Sequence, residues 1–557
     1  MRKPNDMPAF ALDKAVDFLV IGSGAAGGVL ARELTAKGLD VVVLEQGKWL
    51  SEADFTHDEL DVIFRAGLSG GADQDNTQSF RQSDEKEAVS VKGFQPAWYA
   101  RTVGGSSVHF SGNYWRFRPL DFKEKSLLGG IPGTNFADWP VSYEELEPYY
   151  TRVDWEVGVS GAPGPFDPPR SKPYPLPPMP VKSSGVLFEK GARKIGLNPQ
   201  VAPVAILSKP YRGRAPCINC GFCMGFGCET GAKSSSLSAM LPDAMASGRC
   251  EVRTESTAYR IVTNDKGRVS EVQYFDADGA ERSQKAKAVI VAGNGLETPR
   301  LLLMSESSRF PQGLANGSGM VGRNLMFNYH TSVNATFEHQ LNEYKGIQCT
   351  RIVHDFYETD PKRGFYGGGG LDGRPLFLAT PVLYSQMFPP PGMRRWGKEF
   401  KEYLADSFTR SMSIVASTTS LPLDSNNVTL DPKVSDRFGL PAARITYHDH
   451  EDDIAMGRFL QAKGVDIMHA AGAKKVVAYD EGPSTIAAHL LGTCRMGNDP
   501  EASVVDRFHR SHEVPNLFIC DGSSFVTSGR GQPTMTIQAL AFRAAEHIAG
   551  LARRNEI

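Results

Sequence analysis

The segment VDFLVIGSGAAGGVLARELTAKGLDVVVLEQ, residues 16–46, decides the fold. An apolar strand runs into Gly22-Ser23-Gly24-Ala25-Ala26-Gly27. A helix is expected from about Ala26 to Ala36 and a second strand over Val41–Leu44. Gly22 permits the tight turn, Gly24 lets backbone approach a pyrophosphate, and Gly27 lets the helix lie close on the strand. The amides at the helix start, around Ala25 and Ala26, then face the phosphates. Glu45 ends the second strand, where an acid accepts from ribose hydroxyls and disfavours a 2′-phosphate. This end of the chain is expected to bind a dinucleotide, and the motif by itself does not separate FAD from NAD.

Working outward, Ala288–Met304 reads as strand, turn and helix, and Leu517–Leu551 as strand, loop and a helix from about Thr536. Between them lie Pro-rich connectors (163–180 and 389–391) and strand-like stretches at Ser411–Leu421 and Arg444–Tyr447. Three further glycine turns accompany these pieces. The first runs from Arg101 through Gly104, Gly105, Ser107 and His109 to Asn113; the second holds Ala292 and Gly293; the third holds Asp521 and Gly522. Several such turns from distant segments fit one long cofactor, which favours FAD.

At 557 residues the chain exceeds what one core serves, so a discontinuous cofactor domain with an inserted domain is expected. The reading assigns 14–125, 215–330 and 482–557 to the FAD-binding domain and 126–214 and 331–481 to a substrate domain. The fold class is α/β with an α+β insertion: a Rossmann-like domain plus an antiparallel-sheet domain. A net charge of −2 gives no reason to expect nucleic acid, and no apolar run approaches the length of a membrane span. Met1–Asp17 is polar and lacks a secretory apolar core, so the expectation is a cytoplasmic protein or one exported to the periplasm by a partner subunit.

Four of eight cysteines crowd into a glycine-rich loop at 216–230: Cys217, Cys220, Cys223 and Cys228. Closely spaced thiols suit an iron–sulfur cluster, a zinc ion, or two disulfides, and the spacing leaves all three open.

The ordered pieces GSGAAGG with Glu45, VGGSSVHFSG, VIVAGNGLETPRLLL, AHLLGTCRMG with SVVD, and DGSSFVTSGRGQPTMTIQALAFRAAEHI together resemble the glucose–methanol–choline (GMC) FAD oxidoreductases over nearly the whole chain. WRFRPLDF, ADWPVSYEELEPYY and the cysteine loop narrow this to a likeness with flavoprotein subunits of bacterial gluconate, fructose, glucose and glucoside-3 dehydrogenases. The resemblance implies a flavin that accepts a hydride at N5 from a CH–OH carbon of a sugar or polyol. It implies that His489 takes the hydroxyl proton, and a near-neutral base suits that step. Relatives place Asn or His before Pro-Thr-x-Thr. Here Gln532 stands there, followed by Pro533 and Thr534, so Gln532 is expected to position substrate and His489 to be the sole base. His109 matches a position of covalent flavin attachment. For the cysteine loop the resemblance implies an iron–sulfur cluster of the three-iron type delivering electrons to a cytochrome c or quinone, with a small companion subunit. An oxygen-using oxidase with a structural cysteine site is the alternative; a lyase on the same scaffold and a non-catalytic subunit rank below it. Tyr366, Tyr384 and Trp396 are candidates to line a sugar pocket, although core or surface roles are the simpler reading.

Overall fold

The computed structural model describes residues 7–65, 77–90, 96–375, 381–387, 389–390, 392–479, 482, 484 and 487–557. Residues 1–6 of the polar N-terminus and Pro391 of the second connector lie outside them.

Strand Val16–Ile21 enters the glycine turn, helix Ala25–Ala36 follows, and strand Val41–Leu44 returns parallel to the first. Both strands are entirely or almost entirely buried and rich in Val, Leu and Ile, as a parallel sheet covered on two faces requires. Cys250–Arg253 continues the sheet on one side, and Glu281–Val291 and Leu517–Ile519 continue it on the other, all parallel. The first half of Glu281–Val291 leaves this parallel core to pair antiparallel with Val269–Phe275, which in turn pairs with Thr257–Thr263. The closing helix Thr534–Arg553 packs its apolar side into the same core as helix Ala25–Ala36.

A second sheet of six strands is antiparallel throughout. Its order is Lys475–Ala478, His330–Thr336, Ser411–Thr418, Gly369–Arg374, Arg351–Val353, Pro199–Val201. Period-2 alternation gives it two faces. One face carries Val333, Ala335, Met412, Ile414, Ala416 and Leu371, and it buries these against helices Ser183–Lys194 and Glu451–Ala471. The opposite face carries His330, Ser332, Ser413, Val415, Asp372 and Arg374. Cross-strand pairs such as Ser413↔Arg374 and Ser332↔Val415 fix that grouping. A polar face on a buried sheet needs something to solvate it, and this one forms a wall of the cavity described below.

A third, small sheet joins Gln78–Arg81 in parallel to Pro441–Thr446, so segments far apart in the chain share one ladder. Among the described residues no helix is long and apolar enough to cross a membrane.

Candidate active site

One cavity of about 900 Å³ runs between the parallel sheet and the polar face of the antiparallel sheet. That is near the upper end of the ~300–1,000 Å³ range of small-molecule sites. Its first end is made of backbone. Gly22, Gly24, Ala25 and Ala26 line it, together with Glu45, Gly105, Ser107, Ala292, Gly293, Asp521, Gly522 and Thr534. The four glycine turns singled out in the sequence therefore meet at one place, joined by the start of the Thr534–Arg553 helix.

Two glycines show why this end needs no side chains. Gly22 sits at φ +99°, and a Cβ there would lie 2.4 Å from the Ala292 carbonyl oxygen. A Cβ on Gly27 would lie 1.9 Å from the Gly22 oxygen. Gly27, Arg101 and Gly104 lie behind the cavity surface and shape it. The Gly104 amide donates to Ser23 Oγ at 2.9 Å, and that hydroxyl donates to Glu45 at 2.6 Å. Glu45 also accepts from the amides of Ser23 at 3.1 Å and Gly47 at 2.9 Å. Burial raises its pKa, and these donors pull against that shift. Three of the roughly four lone-pair positions of a carboxylate are thus used within the chain, leaving one for a ligand. Asp521 is similarly committed, accepting from Asn294 N, Thr298 Oγ1 and Ser523 N.

The residues fit FAD on a separate ground. His109 and Asn113 line the cavity, and His109 Nε2 and both side-chain polar atoms of Asn113 are buried without a protein partner. Orphaned groups of this kind cost stability unless a ligand or water meets them. Burial, then the nearby Lys233, lowers the His109 pKa to about 3, so its ring is neutral.

The other end of the cavity is built from side chains of remote segments. His489 Nδ1 lies 3.0 Å from Asn328 Oδ1. The Asn328 amide nitrogen donates to the carbonyls of Thr418 at 2.8 Å and Gly529 at 3.2 Å, which leaves its Oδ1 as an acceptor. His489 therefore carries its proton on Nδ1 and presents the Nε2 lone pair. His330 repeats the arrangement: its Nδ1 lies 3.0 Å from the backbone oxygen of the same Asn328, and its ring stands edge-on to His489 at 5.3 Å. Asn328 adopts a left-handed conformation, φ +60°, which asparagine tolerates better than most residues. Gln532 stands close enough to the His489 ring to act on its pKa. Burial lowers the His489 pKa to about 3, with help from His330 and Arg374, and the Gln532 contact opposes that. His330 falls to about 4, by burial and Arg374.

Two residues before Gln532 in the same loop, Arg530 sits in a buried ion network. Arg530 donates to Asp121 at 2.6 Å and to Glu124, with Tyr357 on Asp121 at 2.6 Å and Tyr366 on Glu124 at 2.8 Å. Tyr366 thus belongs to this network and Tyr384 to a separate cluster with Tyr403 and Ser407, while Trp396 is 71% exposed. None of the three lines the cavity; Tyr479 does. Asn328, His330 and Arg374 had no sequence signal beyond residue type, since each acts through a strand or turn whose register only the fold sets.

The cysteine loop abuts the cavity without opening into it. Met224 and Gly225 form part of the cavity wall, and the Gly225 amide donates to the His109 carbonyl at 2.7 Å. All eight cysteines are unpaired, so the two-disulfide reading is set aside. Among the described residues no group of three or more His, Cys, Asp or Glu is arranged to hold a metal ion, and this includes the expected set Cys217, Cys220, Cys223 and Cys228. The physical reason is apolar packing. Cys217 and Cys223 sit against Met179, Val204, Ile206 and Ile347, and burial pushes the Cys223 thiol up to about 12. Lys233, buried among the four sulfurs, spends its ammonium on the carbonyls of Phe110, Cys223 and Phe226.

A Rossmann-type cradle facing a histidine pair in one cavity defines a flavin-dependent oxidoreductase that acts on alcohols. The chain belongs to the GMC oxidoreductase family, whose N-terminal model matches residues 16–330 and whose C-terminal model matches 422–541. It is 36% identical to a 2-methyl-1,2-propanediol dehydrogenase of Mycolicibacterium austroafricanum, covering 96% of this chain and 95% of that one. It is 28% identical to a fructose dehydrogenase large subunit of Gluconobacter japonicus, covering 96% and 98%. A formate oxidase structure from Aspergillus oryzae shares the fold, with a TM-score of 0.65 at 15% identity over 98% of this chain and 100% of that one. The protein is an FAD oxidoreductase acting on CH–OH donors.

Proposed function

We propose that the chain is a dehydrogenase of a polyol or sugar-like alcohol, with His489 as the base and Gln532 and His330 as the groups that position the reacting hydroxyl. The observation that carries this reading is the Asn328–His489 hydrogen bond, which fixes the tautomer that leaves Nε2 free to take a proton. Bound FAD supplies the hydride acceptor. In the chain itself, the His489 Nε2 receives the hydroxyl proton as the C–H bond breaks. Gln532 Oε1 accepts from the newly protonated nitrogen, and Asn328 keeps the other N–H oriented. The lowered pKa of His489 keeps the imidazole neutral before the reaction. His109 is the residue of the chain for contact with the flavin ring, and covalent attachment there predicts yellow colour that stays with acid-denatured protein.

The relatives named as a diol dehydrogenase and as the large subunit of a fructose dehydrogenase support an alcohol substrate, a companion subunit and an acceptor such as a cytochrome or quinone. The cysteine loop is the chain's own candidate for passing electrons outward, because it adjoins the cavity at Gly225. An iron–sulfur cluster there requires Cys217, Cys220, Cys223 and Cys228 to turn toward a common centre on metal uptake.

The test is anaerobic mixing of the FAD-loaded protein with a panel of polyols and sugars, followed at the visible flavin bands, with iron and sulfide measured on the same sample. Bleaching by a polyol without oxygen consumption on later aeration supports the dehydrogenase. Rapid oxygen uptake with peroxide makes it an oxidase, and a flavin that no alcohol bleaches removes the reading. Iron and sulfide absent from protein expressed with iron available remove the cluster alone.

A further inference from the structure

The polar face of the antiparallel sheet holds a feature that the hydride step does not use. Arg374 lies in the cavity wall beside Ser332, Ser413 and Tyr479. Asp372, two residues back on the same face of the strand, takes both Nε and Nη2 of Arg374 in a bidentate pair. Both side chains are almost fully buried from solvent. Nη1 is the nitrogen that Asp372 does not take. The only other arginine among the described lining residues is Arg300, and it is tied to Glu297 at 3.2 Å and Asp436 at 2.6 Å. No lysine lines the cavity among the described residues, whereas the carboxylates Glu45, Glu297 and Asp521 do. A substrate carboxylate at the His489 end meets a guanidinium already paired with Asp372, whereas Glu45 and Asp521 belong to the cofactor end. A neutral oxygen still receives a charge-assisted hydrogen bond from Nη1, without having to lose the hydration of a full charge.

We propose that the Asp372–Arg374 pair is a specificity element that selects neutral polyhydroxy alcohols over their carboxylate analogues, with Arg374 donating from Nη1 to a substrate hydroxyl away from the oxidised carbon. Ser332, Ser413 and Tyr479 line the same wall, where the Ser413 hydroxyl donates to Asn334 Oδ1 at 2.8 Å and keeps acceptor capacity. The inference rests on the polyol dehydrogenase reading and narrows its substrate class. Asp372 is the selective half of the pair: it offsets the charge that would otherwise draw sugar acids and 2-hydroxy acids to Arg374.

The test uses two ligand pairs that differ in charge, 1,2-propanediol against lactate and D-glucitol against D-gluconate, on the FAD-loaded protein. Binding is read by anaerobic titration calorimetry and turnover by kcat/KM with a dye acceptor. The wild type is expected to bind the neutral member of at least one pair about 10-fold or more tightly. Asp372→Asn, which keeps the shape and uncovers the guanidinium charge, is expected to move that ratio about 10-fold or more toward the carboxylate. The double variant Asp372→Asn/Arg374→Gln removes both charges; it is expected to lose the tight binding of the neutral ligand and to show no gain for the acid, which keeps the test open if the single variant folds poorly. A wild type that prefers the carboxylates, a ratio unmoved in Asp372→Asn, or no binding of any of the four overturns the proposal. If the neutral ligands bind with the expected preference but none bleaches the flavin, the dehydrogenase reading falls and the charge assignment stands. If polyols bleach the flavin while the acids bind equally well, the assignment falls and the dehydrogenase stands.

Discussion

The two ends of the cavity are made of different material. The cofactor end is backbone: glycine turns and helix starts, contributed by segments that each carry a local signature. The reactive end is side chain: Asn328, His330, Arg374, His489 and Gln532 arrive from a turn, two strands and two loops, and no short motif holds any two of them together except Asn328 with His330. Backbone geometry tolerates almost no substitution but asks little of distant residues. Side-chain geometry tolerates more at each position and depends on the whole fold to bring the positions together.

The sharpest way to break this contrast is at the backbone end. Gly22→Ala places a methyl 2.4 Å from the Ala292 oxygen at φ +99°, where an L-residue is already strained. The clash and strain together are expected to cost about 3 kcal/mol or more and to abolish FAD retention. Flavin absorbance per protein after gel filtration measures it, and a fully loaded variant would show that the turn has slack. At the reactive end, His489→Ala is expected to leave FAD bound and to slow flavin reduction by about 100-fold or more, the contribution of a general base. Stopped-flow reduction by a polyol reads this directly, and an unchanged rate would displace His489 from its role. Asn328→Ala removes one hydrogen bond and frees the His489 tautomer, so a smaller loss of roughly 5-fold is expected, appearing in kcat more than in KM. If it equals the His489→Ala loss, Asn328 does more than orient the ring.

The smallest effect on the reaction itself is the one expected from acid. The His489 pKa is lowered to about 3, so the base stays unprotonated as pH falls, and the acid limb of kcat/KM should lie far below the ordinary histidine value near 6.5. A profile from pH 4 to 8 that bends near 6.5 would show His489 open to water in the working enzyme. Stability runs the other way over the same range. His354 and His509, like His489, have lowered pKa values in the folded chain, so the unfolded chain binds more protons below about pH 6.5. Each such histidine is expected to remove up to about 1.4 kcal/mol per pH unit as pH falls toward its folded value. Denaturant midpoints at pH 7 and 5 measure the sum.

The contrast also explains what could be read in advance. The strands at Val41–Leu44 and Ser411, the helix after Gly24 and the meeting of four glycine turns follow from periodicity and local stereochemistry, and the structure reproduces them. The helix expected from about Thr536 begins at Thr534, directly after Pro533, whose fixed φ suits a helix start. At the reactive end only His489 and Gln532 stood out, both through family motifs. His330 looks like any strand residue until its pairing with Ser417 turns it toward the cavity. Asp372 and Arg374 are two charges in a short glycine-flanked strand, ordinary in sequence and informative only once both are seen buried on one face. The cysteine loop is the converse. Its spacing is conspicuous and Cys217 joins the apolar surroundings of Cys223 and Cys228, yet among the described residues no metal-holding group is arranged there.

Arg530 ties all this to the order in which the chain is made. It is wholly buried, and its partners Asp121 and Glu124 precede it by 409 and 406 residues. While the chain is being synthesised, those two carboxylates wait for an arginine close to the C-terminus, and Tyr357 and Tyr366 wait with them. Until it arrives the loop bearing Gln532 has no anchor, and the closing helix of the cofactor core does not yet exist. A nascent or prematurely terminated chain therefore displays a nearly complete dinucleotide cradle beside a reactive end that has not formed. Contacts this distant in sequence form late and slowly. Docking of the segment that carries Arg530 is thus a late step, and a chain that stops before residue 530 lacks Gln532 and the Thr534–Arg553 helix.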